Sequence, residues 1–301
     1  MLKLDDLINP EMPQATRTVS IAAAADSAVL ETVSLAVGQG LCTFLLIDDR
    51  QELASLMADD FPHLVNHADV RTSHARDFTD AAAQAVKAVR ENDAAVLMKG
   101  RIPTALLMKA VLHAEKGLRI GRTLSHVAAF EVAGYDRLIF ITDAGMNPEP
   151  DLNSKAAIIQ NAVEIAQKLG IEKPVVAPLA AVEIVNPKMQ ATLDAAALVA
   201  MNVRGQITGC IVDGPLALDN AVSVEAARHK GLTGETAGRA DILLVPNIES
   251  GNILYKSLVY FAKAKVGAVI TGAKAPIVLT SRSDSAQSKL YSLGLALHAS
   301  D

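Results

Sequence analysis

Short, unbroken apolar runs rich in β-branched residues alternate with helix-patterned segments along almost the whole chain, and this rhythm most constrains its fold. The runs are Thr18–Ala22, Cys42–Asp48, Ala94–Lys99, Arg137–Asp143, Val175–Pro178, Gly209–Asp213, Asp241–Val245, Gly267–Thr271 and Ile277–Thr280. Several lack the in/out alternation of a one-faced sheet, which predicts central strands covered on both faces. Between them, Ala156, Ile159, Ala162, Val163, Ala166 and Leu169 share one face of a helix expected from about Asn153 to Leu169, with Gly170 as a left-handed stop. Another helix is expected to start at Asn186-Pro187, a capping residue followed by proline at the first helical position. The alternation predicts an α/β fold. One passage departs from it: Ser125–Glu131 and Arg137–Asp143, joined by Val132-Ala133-Gly134-Tyr135-Asp136, read as a β-hairpin, so the sheet is expected to be mixed.

At 301 residues the chain suits two domains or one large α/β unit. With aromatics at 3% and no tryptophan, the core must be built from Ala, Val, Ile and Leu. The balance is mildly acidic, 28 basic against 33 acidic residues, and no basic run appears, which argues against a nucleic-acid partner. Cys42 and Cys210 lie far apart in apolar runs and read as buried thiols of a reducing compartment. The first six residues carry Asp5 and Asp6 where a signal peptide would carry bases, and the apolar stretch Ile21 to Val37 is interrupted by Asp26 and Glu31. The expectation is a cytoplasmic protein with no membrane span.

Many common catalytic signatures are missing. No G-x-G-x-x-G follows a strand, Gly-Lys never occurs, and there is no H-E-x-x-H, C-x-x-C or G-x-S-x-G. His63 and His67, four apart, have no obvious carboxylate partner and read as a solvated turn; no metal site is expected.

The last sixty residues are the most informative. Asp241–Val245 runs into Pro246-Asn247-Ile248-Glu249-Ser250-Gly251-Asn252-Ile253-Leu254-Tyr255-Lys256, and Ile277–Thr280 into Ser281-Arg282-Ser283-Asp284. Each is a buried strand ending in a polar loop that enters a helix. Ligands of open α/β sheets bind at such carboxyl ends, and helix N-termini there offer amide donors to an anion. Asp284 is placed as the helix N-cap, with Gln287 three residues on. A guanidinium, a hydroxyl and helix amides converging there would cradle a phosphate. By spacing alone a blander reading stands equally: Arg282 pairs with a surface acid and Ser281 merely ends a strand.

The segments P-N-I-E-S-G-N-I-L-Y-K and P-I-V-L-T-S-R-S-D resemble the signatures of the phosphate acetyl/butyryltransferase family, closer to its butyryl branch. L-M-K-G-R-I-P-T (Leu97–Thr104), S-H-V-A-A-F-E (Ser125–Glu131) and T-D-A-G-M-N-P-E-P (Thr142–Pro150) fit the same family in the same order. The resemblance implies two α/β/α domains with an interdomain cleft, of the isocitrate/isopropylmalate dehydrogenase architecture. Domain one would take residues 1–121 and 272–301, and domain two, the expected oligomer contact, residues 122–271. It implies a homo-oligomer that moves a short acyl group reversibly between coenzyme A and inorganic phosphate, with CoA as substrate and no cofactor.

By the same resemblance Ser281 steadies the transition state and Arg282 holds phosphate. Lys99, Arg101, Lys109, Asn252 and Lys256 are candidates to hold phosphate or CoA. Two readings of Lys256 stay open, a phosphate contact or a helix cap; Asn147 reads as shaping its turn and His126 as a core histidine. The chain departs from the acetyl branch where that branch carries an aspartate base six residues after its arginine, here Ser288. Asp284 is the substitute, with capping as a competing role. A second arginine of that branch falls near Met108-Lys109, where lysine offers only a point charge. A metal- and NAD-dependent decarboxylating dehydrogenase of the same fold, or a non-catalytic CoA-binding protein, are the alternatives; the dehydrogenase would need an aspartate cluster for its metal and gives Ser281-Arg282 no task.

Overall fold

The computed structural model describes residues 2–9, 17–234, 236–279 and 284–300. The chain forms two compact units: the first is Leu4–Arg122 with Gly267–Asp301, the second Met1–Lys3 with Thr123–Val266.

The first unit opens with β1 (Thr18–Ala22), α1 (Ser27–Gly38), β2 (Thr43–Asp48), α2 (Arg50–Asp60), β3 (Val70–His74), α3 (Phe78–Arg90), β4 (Val96–Lys99) and α4 (Thr104–Val111). Each strand returns through a helical crossover, so neighbours run parallel. β1 pairs with β2 from Thr18↔Thr43 to Ala22↔Ile47 and with β4 from Val19↔Val96 to Ala22↔Lys99. Successive strand residues face opposite ways, yet Val19 to Ala22 and all of β4 are buried, so helices cover both faces. α3 shows the local logic. The Asp77 side chain accepts from the Asp80 amide at its start, worth about 1 kcal/mol as a cap. Ala81, Ala82, Ala85, Val86 and Val89 form its buried stripe, and Lys87 and Arg90 sit at its negative end.

The second unit holds β5 (Ser125–Glu131), β6 (Ile139–Thr142), α5 (Leu152–Lys168), β7 (Val175–Pro178), α6 (Gln190–Val203), β8 (Ile211–Val212), α7 (Leu218–Val222), α8 (Val224–His229), β9 (Ile242–Leu244) and α9 (Ile248–Tyr260). β5 and β6 form the expected antiparallel hairpin, with Ala128↔Ile141 and Phe130↔Ile139 in register. β6, β9, β7 and β8 then pair in parallel in that order. β10 (Lys265–Thr271), β11 (Ile277–Val278) and α10 (Ala286–Ala299) return the chain to the first unit, where β11 lies parallel to β4.

Several local expectations are corrected. β3 is absent from the apolar runs because V-R-T-S-H contains one apolar residue; it pairs with β2 and its positions are exposed or half-buried. β10 and β11 form a second antiparallel pair through Ile270↔Ile277, turned by Gly272 at φ +89°. No helix starts at Asn186-Pro187. The Asn186 side chain accepts from Lys188 N (2.9 Å), the Met189 amide bonds to Asn186 O, and the helix begins only at Gln190. α10 is capped by Ser285, whose hydroxyl accepts from Ser288 N, and not by Asp284. Serine in extended backbone one residue later fills the capping geometry equally well, so the Asp284 carboxylate is not committed to that task.

Among the described residues no helix is long and apolar enough to cross a membrane. Cys42 and Cys210 are buried and form no disulfide. Burial pushes the Cys42 thiol far up and Cys210 up to about 11. Both are therefore expected to resist a thiol-specific disulfide reagent at pH 8 in native protein and to react at once in guanidinium; rapid native labelling would contradict this packing.

Candidate active site

β1, β2 and β4 end side by side, and the segments that follow them are laced together. The amides of Ala23 and Ala24 both donate to Ile47 O, and that of Ala25 donates to Asp48 Oδ2 at 2.7 Å. Beyond β4, the Gly100 amide donates to Ala22 O (2.9 Å) and the Arg101 amide to Ala23 O (2.8 Å). This crossing demands glycine. A Cβ on Gly100 would lie 1.9 Å from Ala23 O and 2.8 Å from Ala22 O, both backbone atoms with little room to yield.

The side chains at this carboxyl edge are charged. Lys99 is buried and its Nζ donates to Gly100 O at 3.0 Å. Arg101 forks onto both carboxylate oxygens of Glu52 and donates to Asp48 Oδ1 at 3.2 Å, with its guanidinium 5.5 Å from the centre of the Phe78 ring. The hydrogen bond to Glu52 raises its pKa, outweighing the opposite effect of partial burial. A groove of about 640 Å³ opens beside it, lined by Asp26, Ser27, Glu52, Ser55, Asp59 and Arg101 among others. The donors of Arg101 here face two carboxylates, and it acts as a strut between the β4 loop and the start of α2.

Of the other first-unit candidates, Lys109 is exposed in the last turn of α4. Asp284 precedes α10, and the buried Lys289 donates from Nζ to its carbonyl oxygen at 2.6 Å. Ser281 and Arg282 lie outside the described residues.

In the second unit the corresponding edge is built by β6 and β9. Asp143, buried directly after β6, accepts from the amides of Gly145 and Met146 (both 2.9 Å) and from Asn147 Nδ2 (2.5 Å). Asn147 also reaches Leu124 O at 2.8 Å, which makes it the turn-shaping residue that was expected. α9 starts at this loop with Asn247 as cap. Gly251 is its one buried residue, and a Cβ there would lie 2.9 Å from Ala144 Cα and from Asp143 O. Two motifs separated by about a hundred residues of sequence therefore interlock through one glycine. Asn252 is exposed on the next position, and Lys256, one turn on, lies 5.5 Å from the centre of the Tyr255 ring. Tyr255 meets His126 edge-on at 5.8 Å. Lys99 and Arg101 thus share one carboxyl edge, and Asn252 and Lys256 share one helix.

Sequence reasoning missed the carboxylates of Asp48 and Glu52 and the packing roles of Gly100 and Gly251. The only signal for the first was the acid pair ending L-L-I-D-D.

Residues 50–297 match the phosphate acetyl/butaryl transferase family. The chain belongs to this family. It is 53% identical over 300 residues to a Bacillus subtilis (strain 168) protein named "Probable phosphate butyryltransferase", covering 100% of this chain and 99% of that one. It superimposes on a branched-chain phosphotransacylase from Enterococcus faecalis V583 with a TM-score of 0.82 and 38% identity, covering 94% of this chain and 99% of that one. At the level of fold alone it resembles 4-hydroxythreonine-4-phosphate dehydrogenase from Klebsiella pneumoniae, with a TM-score of 0.58, 12% identity and 95% of this chain and 99% of that one covered. The dehydrogenase-like α/β architecture and the family reading of the five motifs both hold.

Proposed function

We propose that this chain transfers a butyryl or similar short acyl group reversibly between the thioester of coenzyme A and inorganic phosphate. The carrying observation is that family membership spans residues 50–297 while the motif loops lie at the carboxyl ends of buried strands, where an α/β sheet receives its ligand. The butyryl or branched preference is supported by the names of the relatives at 53% and 38% identity.

In the forward direction a phosphate oxygen attacks the thioester carbonyl carbon. The new C–O bond forms, the C–S bond breaks, and the thiolate leaves to take a proton. Negative charge gathers on the carbonyl oxygen before it passes to sulfur, so donors aimed at that oxygen in advance supply the catalysis. Ser281 is assigned to that oxygen and Arg282 to phosphate. Asp284 is assigned to the proton of the CoA thiol in the reverse direction. Its carbonyl is tied to Lys289 and α10 is capped by Ser285, so capping does not compete for its carboxylate. Lys99, buried at the strand end, is assigned to the anion's negative field; Lys109, Asn252 and Lys256 are assigned to CoA.

Thiol release from butyryl-CoA, measured with phosphate present and no metal or nicotinamide added, tests this reading. Turnover at enzyme-like rates is expected. Hydride transfer to NAD with a divalent metal would replace it with the dehydrogenase reading, and CoA binding without turnover with the carrier reading.

The same proposal includes a cytoplasmic homo-oligomer. Two buried cysteines without a disulfide suit a reducing compartment. α9 spans 13 residues and is capped by Phe261, yet Ile253 (67% exposed), Tyr260 (56%) and Phe261 (87%) face outward. A patch of that kind is covered by a partner in most soluble proteins, here a second copy. Ile253→Glu with Phe261→Glu is expected to halve the mass seen by light scattering; a monomeric wild type would end this part of the proposal.

A further inference from the structure

The geometry points to a second anion-binding site in the second unit, at the turn of the β5–β6 hairpin and suited to a compact polyanion. A hollow of about 320 Å³ lies beside the turn of the β5–β6 hairpin. Its walls carry Lys3, Arg137, Lys263 and Lys265 against only two carboxylates, Glu131 and Asp136. The hollow is positive although the whole chain has a net charge of −5. Lys265 Nζ lies 3.4 Å from Glu131 and Arg137 Nε 3.7 Å from Asp136. Four cations against two carboxylates give the walls a formal excess of two positive charges.

The cations are placed by backbone and ring. Arg137 stacks 5.4 Å over Tyr135 and donates to its hydroxyl at 3.3 Å, so its guanidinium is held in one place. Lys263 occupies left-handed backbone at φ +53°, a conformation that usually selects glycine or asparagine. A long cationic side chain accepted at such a position, on the wall of a basic hollow, is what an anion site would retain.

The hollow adjoins the amino end of β6, whereas the Asp143–Asn147 loop follows its carboxyl end. Three strand steps, roughly 10 Å, separate the two ends. A ligand here would therefore not occupy that loop. The site fits a small molecule bearing two or three phosphate or carboxylate charges.

The test is calorimetric titration of the full chain with inorganic pyrophosphate and, separately, with citrate, comparing wild type with Lys3→Gln/Lys263→Gln. The wild type is expected to bind pyrophosphate with Kd below about 1 mM. The double variant should bind about tenfold more weakly, and the difference should shrink between about 0.02 M and about 0.2 M salt. Butyryl transfer without added polyanion should be unchanged in the variant. Citrate bound as tightly as pyrophosphate would assign the site to polyanions in general; pyrophosphate bound alone would assign it to phosphates. Equal affinity in wild type and variant would mean that the anion binds elsewhere, and absence of heat with both ligands would mean that the hollow binds neither; either result overturns the inference. Lys265→Gln, with the same expectations, serves if the double variant fails to fold.

Discussion

Arg282→Ala is expected to slow phosphate-dependent deacylation of butyryl-CoA by ~10²–10³-fold while leaving the fold intact. The guanidinium supplies parallel donors in a planar fork that matches two phosphate oxygens at once, and alanine supplies none. Losing such a group costs transition-state stabilisation of about 3–4 kcal/mol at 1.36 kcal/mol per decade. Phosphate saturation should weaken together with kcat, because the proposed role of Arg282 is to hold the attacking phosphate. Arg282→Lys should fall between the two, since an ammonium keeps the charge but not the fork. Initial rates against phosphate concentration, with thermal melting as the control for folding, would decide the matter. A variant that melts like wild type and turns over at full speed with unchanged phosphate saturation would remove the chemical basis of the proposed function.

The second large effect is structural. Gly100→Ala would put a methyl carbon 1.9 Å from Ala23 O, and relief requires the β4 loop to lift from the end of β1. That movement breaks the amide bonds from Gly100 to Ala22 O and from Arg101 to Ala23 O. It also displaces Lys99 and pulls Arg101 from Asp48 and Glu52. Overpacking typically costs about 1–3 kcal/mol, and this site belongs at or above the top because the obstacle is backbone. Each kcal/mol lowers the melting temperature of a unit this size by about 2–4 °C, so a fall of roughly 6–12 °C is expected. Displacing edge residues by about 1 Å should cost about 10²-fold in rate even in the folded fraction. An alanine variant with wild-type melting and activity would show that the crossing is looser than these distances state.

Much of the architecture was legible because parallel-sheet strands announce themselves locally. β1, β4, β6 and β9 are short, mostly apolar segments buried along nearly their whole length. The hairpin was legible for the same reason, with Gly134 at φ +81° in the turn between its arms. β3 was not, because a strand with an exposed edge buries too little to need an apolar sequence. Helix starts were legible only to within a few residues. Asp, Ser and Asn cap equally well, and which of two adjacent candidates does so depends on where the preceding chain leaves the sheet, as Ser285 beside Asp284 shows.

The candidate site divides in the same way. The amino-acid order alone carried the alternation of strand and helix, the hairpin, and five ordered motifs that identify the acyltransferase family, since each is a local pattern readable within a dozen residues. Only the tertiary structure decided that Arg101 meets Glu52 and Asp48, 49 and 53 residues away, and that Gly100 must pass under Ala23. It alone decided that Gly251 locks α9 onto the Asp143 loop. The physical reason is that charge pairing and steric clearance depend on distance through space. Side-chain types reveal which partners a residue can accept, and the folded chain selects among them.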